Sequence, residues 1–336
     1  MVARKWGLTH RKAVAIMCCC SLTALLLVFL QLPSDSYRLR TAVSLTRERL
    51  DGTVHTRTPA NTGPKIPPPR TFQNFSRENV CRNGTKGSIS ELSAEQKRML
   101  YQQTIVNDEY GFLYCVVPKV ACSNWKRVVR VLNGQWEKPH PARKIEHRVG
   151  FKFLSDYTEE EQEHKIKHYY KFMFVRHPFA RLLSAYRDKF GRPETVFVER
   201  YGTYMLQQYR KVATVPINAS EFRITLGEFV KFVIEQPIRQ MDQHWRPMHE
   251  ICQPCAVNYS YIGKLENLRG DADQVFKELY VQDLVEFPHR QLYYNETRYP
   301  KPEDEIAKLP KEDILRYVTK FSLDFSIFSY SYDDVL

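Results

Sequence analysis

No glycine occurs between Phe112 and Asn133 in this 336-residue chain, although the segment reads as an apolar run, a tight basic turn and a helix. A G-x-x-x-x-G-K-S/T loop is therefore missing there, and Lys119 sits in the turn rather than at its end. No carboxylate set suited to Mg²⁺ accompanies the turn, so a kinase or an ATPase is disfavoured. The chain also lacks a second C-x-x-C to partner Cys252-Gln-Pro-Cys255. Three readings remain for that pair: a redox motif, half of a zinc site, or a local disulfide. An oxidising compartment favours a local structural disulfide. Charge is absent across the 18 residues from Ala13 to Leu30, a stretch long enough to be a membrane span. Finally, Gln31-Leu-Pro-Ser-Asp-Ser36 contains no small-x-small cleavage site, which disfavours a removable signal peptide.

What surrounds the apolar stretch supports an anchor. Arg4, Lys5, Arg11 and Lys12 precede it and favour a cytoplasmic N-terminus. Cys18, Cys19 and Cys20 lie inside it and read as buried rather than palmitoylated. Beyond it, residues 33–90 are polar and broken by Pro59, Pro64, Pro67, Pro68 and Pro69, the composition of an extended stem. Five N-x-S/T sequons, at Asn74, Asn83, Asn218, Asn258 and Asn295, fit a lumenal domain of the secretory pathway. The cysteines on that side are Cys81, Cys115, Cys122, Cys252 and Cys255. Their odd number leaves at least one free or paired between chains. The expected division is a cytoplasmic tail at 1–12, a signal-anchor at 13–32, a lumenal stem at 33–94 and one globular domain at 95–336.

Within that domain Ser93-Ala-Glu-Gln96 resembles a capping box opening a helix to about Thr104. Residues 112–117 read as a buried strand and 123–132 as the helix after the turn. A charged helix starts at Thr158 and reaches Lys171, followed by a strand at 172–175 and a helix at about 179–190. Thr225-Leu-Gly-Glu228 caps a further helix through Glu235, and helices are expected near 271–280 and 311–321. Strands separated by helices predict an α/β fold with a central parallel sheet flanked by helices, its ligand at the carboxyl ends of the strands.

Two segments, from Phe112 to Arg127 and from Phe172 to Arg187, share the order strand, cation, helix. An anion at a helix N-terminus meets unpaired backbone N–H groups and the positive end of the dipole. Two such cradles in one domain suit a ligand with phosphate-like groups at both ends. Charge is distributed accordingly. The net charge is +12 overall, residues 118–192 hold seventeen Lys/Arg against eight Asp/Glu, and residues 193–336 hold seventeen against twenty-two. The positive field centred on the cradles suits an anionic ligand or an acidic polymer.

Pro118-Lys-Val-Ala-Cys-Ser-Asn-Trp-Lys-Arg127 resembles the 5′-phosphosulfate loop of the Golgi carbohydrate sulfotransferases, and Arg176-x-Pro-x-x-Arg181-x-x-Ser184-Ala-Tyr186 resembles their 3′-phosphate motif. The similarity continues through Asp242-Gln-His-Trp245, Cys252-Gln-Pro-Cys-Ala256 and Leu323-Asp-Phe-Ser-Ile-Phe328, covering about 95–330 but not the stem. This family contains the chondroitin 4-O-, dermatan 4-O- and natural-killer-epitope glucuronyl 3-O-sulfotransferases, and the wording is most similar to the dermatan 4-O branch. His177 departs from the pattern, since an acidic residue is expected after Arg176.

The resemblance implies a P-loop-like sulfotransferase fold behind an N-terminal transmembrane helix and stem, held in the Golgi membrane as a single-pass type II protein. It implies 3′-phosphoadenosine 5′-phosphosulfate as donor, no metal, and a dermatan or chondroitin glycosaminoglycan as acceptor, sulfated at the 4-hydroxyl of N-acetylgalactosamine. Pro118, Lys119, Val120, Ala121, Cys122, Ser123 and Asn124 would wrap the 5′ end, with Lys119 stabilising charge on the leaving group. Arg176, His177, Pro178, Phe179, Ala180, Arg181, Leu182, Leu183 and Ser184 would form the 3′-phosphate segment. Arg176 and Ser184 would be its direct contacts, the latter only if its helix points inward. His147 is the expected general base, in competition with His168, His244 or a carboxylate, because an imidazole has the suitable ordinary pKa. His244 and Trp245 are expected at the acceptor site. Alternatives are a glucuronyl 3-O-sulfotransferase or, from another class, a non-catalytic glycosaminoglycan-binding membrane protein. The sequons and the span argue against a nucleic-acid partner.

Overall fold

The computed structural model describes residues 80–81, 87–141, 143–191, 196–211, 223–288 and 301–333, all within the unit Pro64–Leu336. The expected anchor and most of the expected stem lie outside the described residues, as do Asn74, Asn83, Asn218 and Asn295; Asn258 is exposed. Among the described residues no helix is long and apolar enough to cross a membrane.

Helix α1 (Ala94–Gln103) opens on the expected capping box, the Ser93 hydroxyl accepting from the Gln96 amide while Gln96 accepts from the Ser93 amide. Strand β1 (Thr104–Asn107) follows without a break, then β2 (Phe112–Cys115), α2 (Cys122–Leu132), β3 (Lys152–Phe153), α3 (Glu159–His168), β4 (Tyr170–Val175) and α4 (Pro178–Lys189). Helix α3 stops three residues short of the expected Lys171 because Tyr170 and Lys171 pair with Phe112 and Leu113 of β2. Beyond α4 lie α5 (Thr203–Arg210), α6 (Leu226–Glu235), α7 (Met248–Cys252), β5 (Tyr261–Lys264), α8 (Leu268–Glu278), α9 (Pro302–Ile306), α10 (Lys311–Lys320) and α11 (Ser322–Ile327).

The sheet order is β3-β1-β2-β4-β5. The expected parallel sheet is present as part of a mixed one. β2, β4 and β5 run parallel, whereas β1 is antiparallel to both β2 and β3. The cause is connection length: β1 and β2 are joined by a tight turn that ends on Gly111 at φ 61, while the parallel pairs are joined by crossovers containing helices. Both cradles hang from the carboxyl ends of adjacent parallel strands, β2 and β4.

The core packs aromatic side chains against that parallel centre. Trp125 of α2 has its ring centroid 4.9 Å from those of both Phe172 and Phe174 on β4. Gly263 on β5 faces Phe174, whose ring a Cβ at that position would overlap. A second cluster joins α4, α6 and α10 through Phe179, Phe190, Phe229, Trp245 and Tyr317.

The local Cys252–Cys255 disulfide is overturned. Cys252 pairs with Cys115 at the end of β2, and Cys255 pairs with Cys81. Helix α7 ends at Cys252 and the chain turns through Gln253 at φ 48, sending the two cysteines to different partners. Cys122 remains free, as the odd number allows. Helix α7 is also tied to the C-terminal tail: Asp324 accepts from the backbone amides of Met248 and His249 at 2.7 and 2.9 Å.

Candidate active site

The first cradle obtains its curl without glycine. Lys119 and Ala121 adopt left-handed backbone at φ 71 and φ 50, each costing about 1–2 kcal/mol for a residue with a Cβ. Such a turn persists only where its surroundings hold it. Here the second cradle supplies the hold. Arg181 is buried and donates from Nε to the Pro118 carbonyl at 3.0 Å, and from its two terminal nitrogens to the carbonyls of Arg246 and Gln243 at 2.7 and 2.9 Å. Arg176 donates to the Lys119 carbonyl at 3.4 Å. Helix α2 then starts at Cys122 with no side chain capping it, which leaves its first turn suited to an anion.

The second cradle follows β4 in the same way. Pro178 occupies the first turn of α4, and His177 makes no side-chain cap. Ala180, Ser184 and Asp188, four residues apart, fall on one face of the helix. That face lines a cavity of about 920 Å³ whose opposite wall is Pro118, Lys119 and the first turn of α2. The structure thus brings together Pro118, Lys119, Ala121, Cys122, Ser123, Asn124, His147, Arg176, His177, Ala180, Ser184 and His244 around one space.

Other expected site residues lie elsewhere. Pro178, Phe179, Leu182 and Leu183 are buried in the core, because the helical period turns them away from the face that carries Ala180 and Ser184, and Val120, in the turn before α2, is buried as well. Arg181, expected within the 3′-phosphate segment, braces the Pro118 turn. Trp245 is closed to a sugar ring: it is 1% exposed, packs among Phe190, Tyr201 and Phe229, and donates from Nε1 to Gln236 at 2.9 Å. His177 lines the cavity and also anchors the tail, its amide donating to Glu266 and its ring nitrogen meeting the Ser331 carbonyl, both at 2.8 Å.

Residues that sequence reasoning missed also line the cavity, among them Asp188, Lys189, Glu266 and Tyr330. The spacing of Asp188 from Ser184 is a signal for the first; Glu266 and Tyr330 arrive from distant segments and carry none. Asp188 accepts from Lys119 at 2.8 Å and lies 3.2 Å from Lys189. Burial opposes ionisation of Asp188, but the charges of Lys119 and Lys189 outweigh it and hold its carboxyl below the ordinary range.

Two cavity histidines differ in their partners. His147 Nδ1 lies 3.2 Å from Lys126 Nζ, which also donates to the His147 carbonyl at 2.9 Å. Desolvation of the ring and the adjacent Lys126 charge push its pKa down to about 4. His244 Nδ1 lies 2.6 Å from Asp242 Oδ1, which also accepts the His244 amide at 2.9 Å. Burial lowers the His244 pKa, and Asp242 partly opposes it. Among the described residues no group of three or more His, Cys, Asp or Glu side chains is placed to hold a metal ion.

The chain matches the sulfotransferase family over residues 102–331. It is similar to carbohydrate sulfotransferase 14 of Danio rerio, 39% identical over 260 residues that cover 77% of this chain and 71% of that protein. It is 39% identical over 245 residues to carbohydrate sulfotransferase 14 of Homo sapiens, covering 73% of this chain and 64% of the human protein, less than two thirds of its length. Carbohydrate sulfotransferase 11 of Rattus norvegicus is 34% identical over 245 residues, covering 69% of this chain and 68% of that protein. No solved structure matches. The family match takes in more than half of the chain and contains both cradles, so this chain belongs to the sulfotransferase family and is a sulfotransferase enzyme.

Proposed function

We propose that the chain transfers sulfate from 3′-phosphoadenosine 5′-phosphosulfate to the 4-hydroxyl of N-acetylgalactosamine in dermatan or chondroitin chains. The observation that carries the donor assignment is that two helix N-termini, each on a parallel strand, open onto one cavity with Lys119 on one wall and Arg176 and Ser184 on the other. Family membership implies the same donor. In this reading the first turn of α2 and Lys119 hold the 5′ end, and Lys119 neutralises charge building on the departing phosphate. Arg176 and Ser184 hold the 3′-phosphate, the guanidinium being suited to multidentate contact with a phosphate. The acceptor assignment is supported by the motif wording alone, because the names of the relatives say only that they act on carbohydrate. The apolar span and the sequons support a single-pass type II protein of the Golgi membrane, with its catalytic domain lumenal.

Incubating the full chain with labelled donor and with desulfated dermatan or chondroitin, followed by disaccharide analysis, tests the assignment. Label on the 4-position of N-acetylgalactosamine is the expected result; label on glucuronate moves the chain to the 3-O branch. No incorporation, with retention on an immobilised glycosaminoglycan, would make it a binding protein. Lys119→Ala should lower transfer by about 10²-fold or more, the magnitude typical of removing one donor to developing charge. Near-parental activity with an intact fold would remove Lys119 from the chemistry.

A further inference from the structure

We infer that the proton of the attacking sugar hydroxyl is taken by Nε2 of His244, held for that role by Asp242, and that His147 serves as a hydrogen-bond donor rather than as the base. This rests on the donor assignment above and deepens it.

The hydrogen-bond partners decide which ring nitrogen of each histidine carries the proton. Asp242 is an acceptor, and its Oδ1 lies 2.6 Å from His244 Nδ1. The proton of neutral His244 is therefore on Nδ1, and Nε2 presents a lone pair. A carboxylate placed in this way fixes the tautomer and stabilises the imidazolium that forms when Nε2 accepts a proton. His147 is arranged in the opposite sense. Its Nδ1 faces the Lys126 ammonium at 3.2 Å, and an ammonium has only donors to offer. Nδ1 must accept, the proton of neutral His147 is on Nε2, and that nitrogen has no lone pair for a hydroxyl proton. It is suited instead to an anionic oxygen, such as one on a sulfuryl group.

The surroundings agree with these roles. The His244 ring is set by Phe197, edge-on with centroids 5.4 Å apart, and its backbone is pinned by the buried Trp245 next to it. Both histidines line the cavity with Lys119, and the charge of His244 is felt at His147. Among the described residues no carboxylate contacts the His147 ring, so a proton arriving there would find Lys126 as its neighbour, with Arg127 and Lys189 adding to the positive field. At His244 the positive charges of Lys189 and Lys119 are answered by Asp242.

The step balances without any further reactant. The acceptor oxygen forms a bond to sulfur while its proton passes to His244 Nε2. The bond between sulfur and the 5′-phosphate oxygen breaks, and 3′-phosphoadenosine 5′-phosphate leaves with the electron pair beside Lys119. His244 then returns its proton to solvent.

The test uses the full chain and its His244→Ala, His147→Ala and Asp242→Asn variants. Thermal shift with 3′-phosphoadenosine 5′-phosphate reads the donor site, and labelled transfer with and without added imidazole reads the chemistry. His244→Ala should keep the nucleotide shift, lose turnover by about 10²-fold or more, and recover part of it with imidazole. His147→Ala should show no imidazole recovery, since a lost donor is not a lost base. Asp242→Asn covers the case in which His244→Ala fails to fold; it should keep the nucleotide shift and lower kcat about tenfold or more. The assignment is overturned if His244→Ala turns over within tenfold of the parent, if imidazole restores His147→Ala instead, or if Asp242→Asn has the parental kcat. A parent chain showing no nucleotide shift would refute the donor assignment itself, a result distinguishable from all of these.

Discussion

Replacing Arg181 with lysine keeps a positive charge inside the protein but removes the planar fork that reaches three carbonyls from two different segments. The guanidinium donates to Pro118, Arg246 and Gln243 at 3.0, 2.7 and 2.9 Å, and at 3% exposure water cannot replace those bonds. A lysine ammonium is a point donor on a shorter reach and can keep one of the three. Two charge-assisted bonds lost at about 1.5–3 kcal/mol each give a destabilisation of about 3–6 kcal/mol. In a domain of this size 1 kcal/mol moves Tm by about 2–4 °C, so Arg181→Lys should melt roughly 6–24 °C below the parent. The left-handed turn at Lys119 and Ala121 loses its brace at the same time, so affinity for 3′-phosphoadenosine 5′-phosphate should fall as well. Thermal unfolding with and without that nucleotide measures both. A variant that melts within about 2 °C of the parent yet binds the nucleotide tenfold more weakly would refute the bracing account and return Arg181 to the phosphate.

Other perturbations follow from the same contacts. Asp188→Asn should tighten binding of 3′-phosphoadenosine 5′-phosphate by a few-fold in a calorimetric titration, since it frees Lys119 from a partly exposed pair of about 0.2–1 kcal/mol; weaker binding would mean that Asp188 orients Lys119 instead. Buried His249 lies 2.7 Å from Asp324, and although burial disfavours its charge, Asp324 and Glu250 raise its pKa above the ordinary value. A raised folded pKa stabilises fully below about 6.5 and is lost as pH climbs through the folded value. The Tm gap between the parent and His249→Gln should therefore be larger at pH 6 than at pH 9, and a gap that is constant or grows with pH would contradict the pairing.

The elements that carry the cradles were legible because their signals are local. Capping boxes at Ser93, Thr158 and Thr225 open helices where expected, and the apolar runs of β2 and β4 are bounded by basic turns. Strand β1 was hidden because Ile105 and Val106 form too short an apolar pair to separate it from the preceding helix, and β5 because Gly263 interrupts it for the sake of Phe174. Motif membership indicated which segments meet at the site but not which side chains face it. Arg181 and Ser184 belong to one motif three residues apart, yet one braces a backbone turn while the other lines the cavity. The disulfide partners were illegible for a related reason: Cys252 and Cys255 are neighbours in sequence, and only the turn at Gln253 separates their directions.

The Cys115–Cys252 bond joins the strand that carries the first cradle to a helix 137 residues later. The first cradle is among the first parts of the domain to be synthesised, yet the crosslink at its base awaits a cysteine that emerges late. An oxidising environment therefore acts on this enzyme as an assembly step: chain kept reduced would retain every residue of the cradle while lacking the covalent tie that sets one end of it against the rest of the fold.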